Sequence, residues 1–318
     1  MPEYGHVPVL PAEVLAALSP EPGQTYLDCT AGLGGHAAAV AERLGSGGRV
    51  VLCDLDPGNL ERAAAKVREA MGGAAEDRLV VLRSNFAHAP AELRRRGLSA
   101  DLVLADLGFA STQVDDPERG LSFRADGPLD MRLDPNAPVT AEELVNTLPE
   151  RELERAIRSF GEDPNARRIA RNIVAVRKQR PITSTGQLAE VVRSAVPASQ
   201  HGRIDPATRT FQALRIAVND EIGSLESLLA AVRRAAETVR RGEPAWLAPG
   251  AKVAVIAFHS LEDRPVKRAF ADLVRGGLAE AITKGVVEAG EEEIARNPRS
   301  RSAKLRAVRI GGGPGGAE

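Results

Sequence analysis

The sequence predicts an α/β fold: a mostly parallel, nucleotide-binding sheet carrying an inserted all-helical domain. Three observations predict it. Residues 26–44 read as strand, glycine turn and helix. Apolar runs at 49–53, 100–105 and 251–258 each stop against an acid or a histidine, as buried parallel strands do at the carboxyl edge of a sheet. Between the last two lies a block with helical periodicity, residues 135–202.

The first unit sets the pattern. Tyr26-Leu27 closes a short apolar run, Gly32, Gly34 and Gly35 form the turn, and an alanine-rich helix follows from His36. Such a unit offers backbone N–H groups and a helix N-terminus to a ligand. Gly32-x-Gly34-x-x-Ala37 also satisfies the dinucleotide pattern, so a nicotinamide enzyme stays open. Asp28 stands before the glycines, where a carboxylate suits the α-amino group of S-adenosyl-L-methionine (SAM) and repels a pyrophosphate. The second strand, 49–53, ends in Asp54, placed to grip a ribose diol in either class of cofactor.

The remaining elements follow in order. Residues 7–18 combine an extended X-Pro entry with a short amphipathic helix. A helix runs from Pro57 to about Ala70, a third strand from Arg78 to Leu82, and a basic helix from Ala89 to Arg96. Phe86, after the third strand, is placed to stack on an adenine or to fill the core. The fourth strand, Ala100 to Asp106, ends in a carboxylate at the sheet's chemical edge. Residues 111–134 read as a long polar loop, held in order by Phe123, Leu129 and Met131.

From Thr140 the pattern is helical. Thr140-x-x-Glu143 is a capping box, and one run of helical spacing links Leu144, Leu148, Leu153, Ile157 and Phe160. A second helix spans Asn165 to Val176, and a third opens at Ser184 and ends near Val196. Asp205-Pro206 starts the next helix, and another follows towards Val239. Strand 251–258 brings the chain back to the sheet, with His259-Ser-Leu-Glu-Asp263 at its end and a helix from Arg264 to Val274. Residues 306–310 read as a final edge strand, and the Gly/Pro tail as frayed. The domains expected are 1–134, the insertion 135–202, and 203–318.

Composition excludes several classes. The chain has 318 residues, 43% apolar, with a formal charge of −1, and no apolar run approaches the length of a membrane span. No signal peptide is visible, so a cytoplasmic protein with no membrane role is expected. Cys29 and Cys53 read as reduced thiols. Scattered histidines without ligand spacing predict no metal site. The basic charge is uneven: residues 151–193 hold ten Lys/Arg against five Asp/Glu, and 296–309 hold six with no acid. Both stretches are candidates for phosphate contact.

Three segments go beyond a generic nucleotide fold. They are Asp106-Leu-Gly-x-x-Ser with 113–124, the run Asp205-Pro-Ala-Thr-Arg-Thr-Phe-Gln-Ala-Leu-Arg-Ile-Ala-Val-Asn-Asp-Glu221, and Phe258-His-Ser-Leu-Glu-Asp263. With His6-Val-Pro-Val-Leu10 and Asn297-Pro-Arg-Ser-Arg-Ser-Ala-Lys-Leu-Arg306, the chain resembles the RsmH (MraW) family along nearly its whole length. Members are bacterial SAM-dependent enzymes that methylate N4 of a cytosine, position 1402, in 16S ribosomal RNA. The resemblance implies a Rossmann-like, seven-stranded methyltransferase sheet, SAM as cofactor, and 16S rRNA in the 30S subunit as partner. A homodimer is compatible with it. It places cofactor contacts at Gly34, Gly35, His36, Asp54, Phe86, Asp106 and Gln113. Thr112 stands where many members have proline, Ala37 where many have serine, and the segment between Phe270 and Asn297 is shorter than in many.

Cytosine N4 is a weak nucleophile, because its lone pair is delocalised into the ring. Methylating it takes alignment and an acceptor for an N–H. Asp106 is the first candidate for that acceptor and His259 the second, with Glu262 and Asp263 beside it. The competing readings are a dehydrogenase, a SAM enzyme acting on a small molecule or protein, and a SAM-binding assembly factor.

Overall fold

The computed structural model describes residues 8–72, 75, 77–197, 199 and 205–311. His6 and Val7, the end of the expected insertion and the Gly/Pro tail lie outside them. The described chain forms two compact units: one runs through Gly108 and resumes at Ile222, and the other is Phe109–Glu221. The second is wider than the expected 135–202, because its core also takes in Leu129, Met131, Phe211 and Leu214 from the flanking segments. No described helix is long and apolar enough to cross a membrane.

The first unit begins α1 (Pro11–Leu18), β1 (Thr25–Asp28), α2 (Gly35–Leu44), β2 (Arg49–Asp54), α3 (Pro57–Met71), β3 (Leu79–Arg83), α4 (Ala89–Arg95) and β4 (Ala100–Asp106). The second unit contributes α5 (Ser111–Asp115), α6 (Ala141–Thr147), α7 (Glu150–Gly161), α8 (Ala166–Arg177), α9 (Thr185–Ala195) and α10 (Ala207–Asn219). The chain then continues through α11 (Glu221–Arg240), β5 (Leu247–Ala257), α12 (Ser260–Arg275), β6 (Ala279–Ala281), β7 (Val287–Glu288), α13 (Glu291–Arg296) and β8 (Lys304–Ile310).

The sheet runs β3-β2-β1-β4-β5-β8-β6, seven strands in one path, and β7 pairs with β8 beside it. Strands β1 to β5 pair in parallel, and β8 is antiparallel to β5. Strand alternation sorts the core into two faces. Leu27, Val51, Val103 and Val255 pack under α4, α11 and α12. Tyr26, Leu52, Leu104 and Ile256 pack under α1, α2 and α3. β1 and β4 are covered on both faces, and at their carboxyl ends Asp28 is buried and Asp106 half-buried.

Several expectations change. The loop at 111–134 holds a helix, α5, and a 3-10 turn at Pro117–Arg119. The periodic run from Thr140 to Phe160 is two helices, since Leu148 leaves helical geometry before Pro149. α12 begins at Ser260 rather than Arg264, with Pro265 inside the helix. Glu262 fixes the earlier start by accepting the Phe258 N–H at 2.8 Å. β8 is no edge strand, because 279–288, too short for any periodicity, folds back onto its far side.

The basic tail is correspondingly part of the fold. Arg306 makes a two-pronged ion pair with Asp263 at 2.7 and 3.1 Å, largely buried, and Arg309 pairs with Glu280. The Arg306 guanidinium holds the Asp263 carboxyl below its usual range. Stability from this pair is therefore present above the unfolded carboxyl's pKa of about 3.9 and is lost as pH falls through the lower folded value. Arg306→Ala is expected to cost about 1–3 kcal/mol at neutral pH, with the deficit shrinking in acid. Urea melts at pH 7 and pH 3 check it, and a deficit that does not depend on pH would refute the ion-pair account.

Candidate active site

Three neighbouring strands, β2, β1 and β4, end in Asp54, Asp28 and Asp106. The turn after β1 ties them together. Thr30 N–H donates to Asp28 Oδ1 at 3.1 Å, and Thr30 Oγ1 accepts the Asp106 N–H at 2.7 Å. Gly32 N–H donates to Asp54 Oδ2 at 2.8 Å, and Asp56 N–H to Asp54 Oδ1 at 2.9 Å. Gly32 and Gly34 sit at φ +49° and +78°, a region that side chains disfavour. A Cβ on Gly34 would stand 2.6 Å from Ala63 Cα, so α2 and α3 approach as closely as they do only because this residue is glycine.

Burial sets the electrostatics. Asp28 is 1% exposed, and desolvation pushes its carboxyl up to about 6, against the pull of His36 and the bond from Thr30. Tyr26, fully buried, donates its hydroxyl to Asp28 Oδ2 at 2.9 Å, and desolvation raises that phenol. Burial likewise raises the Asp54 carboxyl. It would push the His36 imidazole down, but the facing Asp106 carboxylate outweighs it and the imidazole lies above its ordinary value. His36 Nε2 is 3.6 Å from Asp106 Oδ2, an ion-pair separation too long for a hydrogen bond. Neither that nitrogen nor Asp106 Oδ1 has a hydrogen-bond partner among the described residues, and both are buried.

The raised Asp28 has a consequence for stability. Between about pH 4 and pH 6 the folded carboxyl holds a proton that the unfolded one has lost, so unfolding free energy falls as pH rises through that window. The fall is roughly 3 kcal/mol in all. Asp28→Asn is expected to flatten it. Denaturant melts at pH 4 and pH 7 measure the slope, and an unchanged slope in the variant would exclude Asp28 as its source.

Of the other expected residues, Phe86 is half-buried against the core under α4 and α11. Asn85 steadies it, accepting the Ala87 N–H and donating to Ser224 Oγ at 2.7 Å. His259 occupies the N-cap position of α12 without a side-chain capping bond, its Nε2 3.3 Å from Glu262 Oε1, and Glu262 is 3% exposed. Glu262 and Asp263 are both committed to partners inside the fold. Gln113 belongs to the second unit, buried in α5 with Oε1 accepting the Ala110 N–H. The geometry of the first unit thus gathers Gly34, Gly35, His36, Asp54 and Asp106 into one cluster. Thr30 and Tyr26 were missed in the sequence; the spacing Asp-x-Thr was the available signal for Thr30, whereas Tyr26 reads as an ordinary core residue.

The basic residues divide by role. Arg167, Arg168 and Arg171 are exposed on α8. Arg177 turns inward to the Val145 and Leu148 carbonyls, and Arg215 forks onto Glu221.

What the cluster offers is an acid-lined strand edge, a helix N-terminus and a half-buried carboxylate whose Oδ1 is buried without a hydrogen-bond partner among the described residues. That set suits a cationic or hydrogen-bond-donating ligand. Three relatives and a family model bear on it. Ribosomal RNA small subunit methyltransferase H of Heliobacterium modesticaldum is 44% identical over 324 residues, covering 96% of this chain and 98% of that protein. Its counterpart in Symbiobacterium thermophilum is 46% identical over 322 residues, covering 96% of each. The one in Koribacter versatilis is 46% identical over 310 residues, with 96% and 94% covered. The family model of the MraW methylases matches residues 3–310, so the chain belongs to the MraW methylase family.

Proposed function

We propose that this protein is a SAM-dependent methyltransferase of small-subunit ribosomal RNA, acting in the cytoplasm on N4 of cytosine 1402. The observation that carries the reading is Asp106: a carboxylate at the carboxyl end of the fourth strand with a buried oxygen that has no hydrogen-bond partner among the described residues. The residues around it fit SAM. Asp54, oriented by two backbone N–H groups, would hold a ribose diol, and Asp28, the α-amino group. Gly34, Gly35 and His36 would line the turn, with Phe86 against the adenine and Gln113 as a further contact. Bound there, SAM supplies an electrophilic methyl group.

The chain's own residues supply the rest. Asp106 accepts one N–H of the exocyclic amine, which turns the nitrogen lone pair away from the ring and gives the departing proton an acceptor. His36 faces Asp106 across this edge, and although burial lowers its imidazole, the Asp106 and Asp28 carboxylates raise it above its ordinary value, so the positive form is favoured there. A cytosine in structured RNA reaches such an edge only when unstacked. The helical domain at 135–202 would hold the RNA, with Arg167, Arg168 and Arg171 on phosphates supplying salt-dependent affinity. His259 is assigned a structural role in place of proton transfer.

Labelled SAM offered with unmethylated 30S subunits, naked 16S RNA and total protein tests the reading. N4-methylcytidine recovered from the 30S sample supports it. Label confined to protein or small molecules removes it.

A further inference from the structure

We propose that Phe109, backed by Arg215, is a stacking platform for an unstacked base of the RNA substrate. This rests on the rRNA methyltransferase reading.

Of the seven phenylalanines only Phe109 is exposed, at 40%. One face is taken: the Arg215 guanidinium lies 4.5 Å from the ring centroid. That guanidinium is not a passing contact. Its Nε and Nη2 donate to the two oxygens of Glu221 at 2.7 and 2.8 Å, and both side chains are largely buried. The ring therefore rests on a fixed cationic plate with the rest of its area exposed to solvent. A base added to it would complete a base–phenyl–guanidinium stack, the arrangement by which single-stranded nucleic acid is held.

The surroundings select a planar ligand. Within Phe109–Glu221, Phe109 is the one exposed large hydrophobic among the described residues. A solitary ring suits a base, whereas a protein partner or a second copy of this chain would need a contiguous apolar patch. Phe109 also follows Asp106 by only three residues, and Gly108 between them adopts φ +107°.

The test uses the full-length enzyme with 30S subunits lacking the modification. Phe109→Ala and Phe109→Leu are expected to lower kcat/KM for 30S by about 5- to 150-fold, the factor one stacked base is worth. SAM affinity, melting temperature and oligomeric state should stay as in the wild type. Phe109→Trp should retain activity, because it keeps a π-face. Wild-type activity in Phe109→Leu would overturn the proposal, since bulk alone would then suffice. An equal loss of SAM affinity in Phe109→Ala would place the ring on the cofactor, and a change in oligomeric state would place it on a second copy; either also overturns it. If the wild type labels no RNA, the functional reading fails and this inference with it. If the wild type is active and Phe109→Ala matches it, only the inference fails.

Discussion

Asp106→Asn is expected to lower methyl transfer by about 100- to 10,000-fold, the range covered by one well-placed acid–base group. The amide keeps the size of the side chain, and the Asp106 N–H still donates to Thr30, so the strand end should hold its position. What changes is charge. An asparagine cannot accept the proton that leaves the amine, and if its NH2 faces the substrate it meets one donor with another. The imidazole of His36 also loses the carboxylate that lifts it, so its titration should move down. Single-turnover kinetics with 30S, together with NMR titration of His36, separate the effects. Turnover within threefold of wild type would remove Asp106 from the chemistry. A normal rate with a shifted His36 would leave it a purely electrostatic part.

Gly34→Ala should give the largest stability loss of any single methyl group added to this chain's glycine turn. The new Cβ would lie 2.6 Å from Ala63 Cα and 3.1 Å from its carbonyl oxygen, with φ at +78°. Backbone against backbone cannot be relieved by rotating a side chain, so α2 and α3 must separate. Overpacking of this kind costs about 1–3 kcal/mol, and the left-handed backbone adds about 1 kcal/mol. SAM affinity should fall with it, because His36 and the turn ride on α2. Gly72→Ala is the internal control: its φ is +67°, but nothing lies within 4 Å of the added carbon, so only the backbone term applies. Urea melts of both variants decide the matter. Equal losses would mean that the contact with Ala63 is not tight in solution.

The parallel sheet and its order of elements were legible because they rest on local signals. Apolar runs flanked by Asp28, Asp54 and Asp106 can only be buried strands whose acids sit at the carboxyl edge, and the glycine spacing at 32–35 needs no tertiary knowledge to read. Asp205 was also legible, its carboxylate accepting the Ala207 N–H at the start of α10. The short elements were not. β6 and β7 have too few residues for any period, and they exist only because β8 offers an open side to pair with.

Charge was the least legible property. A run of arginines looks the same in sequence whether it faces solvent or a carboxylate far along the chain. Arg306 finds Asp263, Arg215 finds Glu221 and Arg177 finds two helix-end carbonyls, leaving Arg167, Arg168 and Arg171 exposed on the helical unit. His259 shows the same limit: its place at a strand end was readable, its pairing with a buried glutamate was not. By itself, then, the sequence determined the fold class, the strand-edge acids and the family, all written in spacing along the chain. Which of those groups are spent on the fold and which are left for a ligand was decided by tertiary structure alone, because partnership and burial depend on residues distant in sequence.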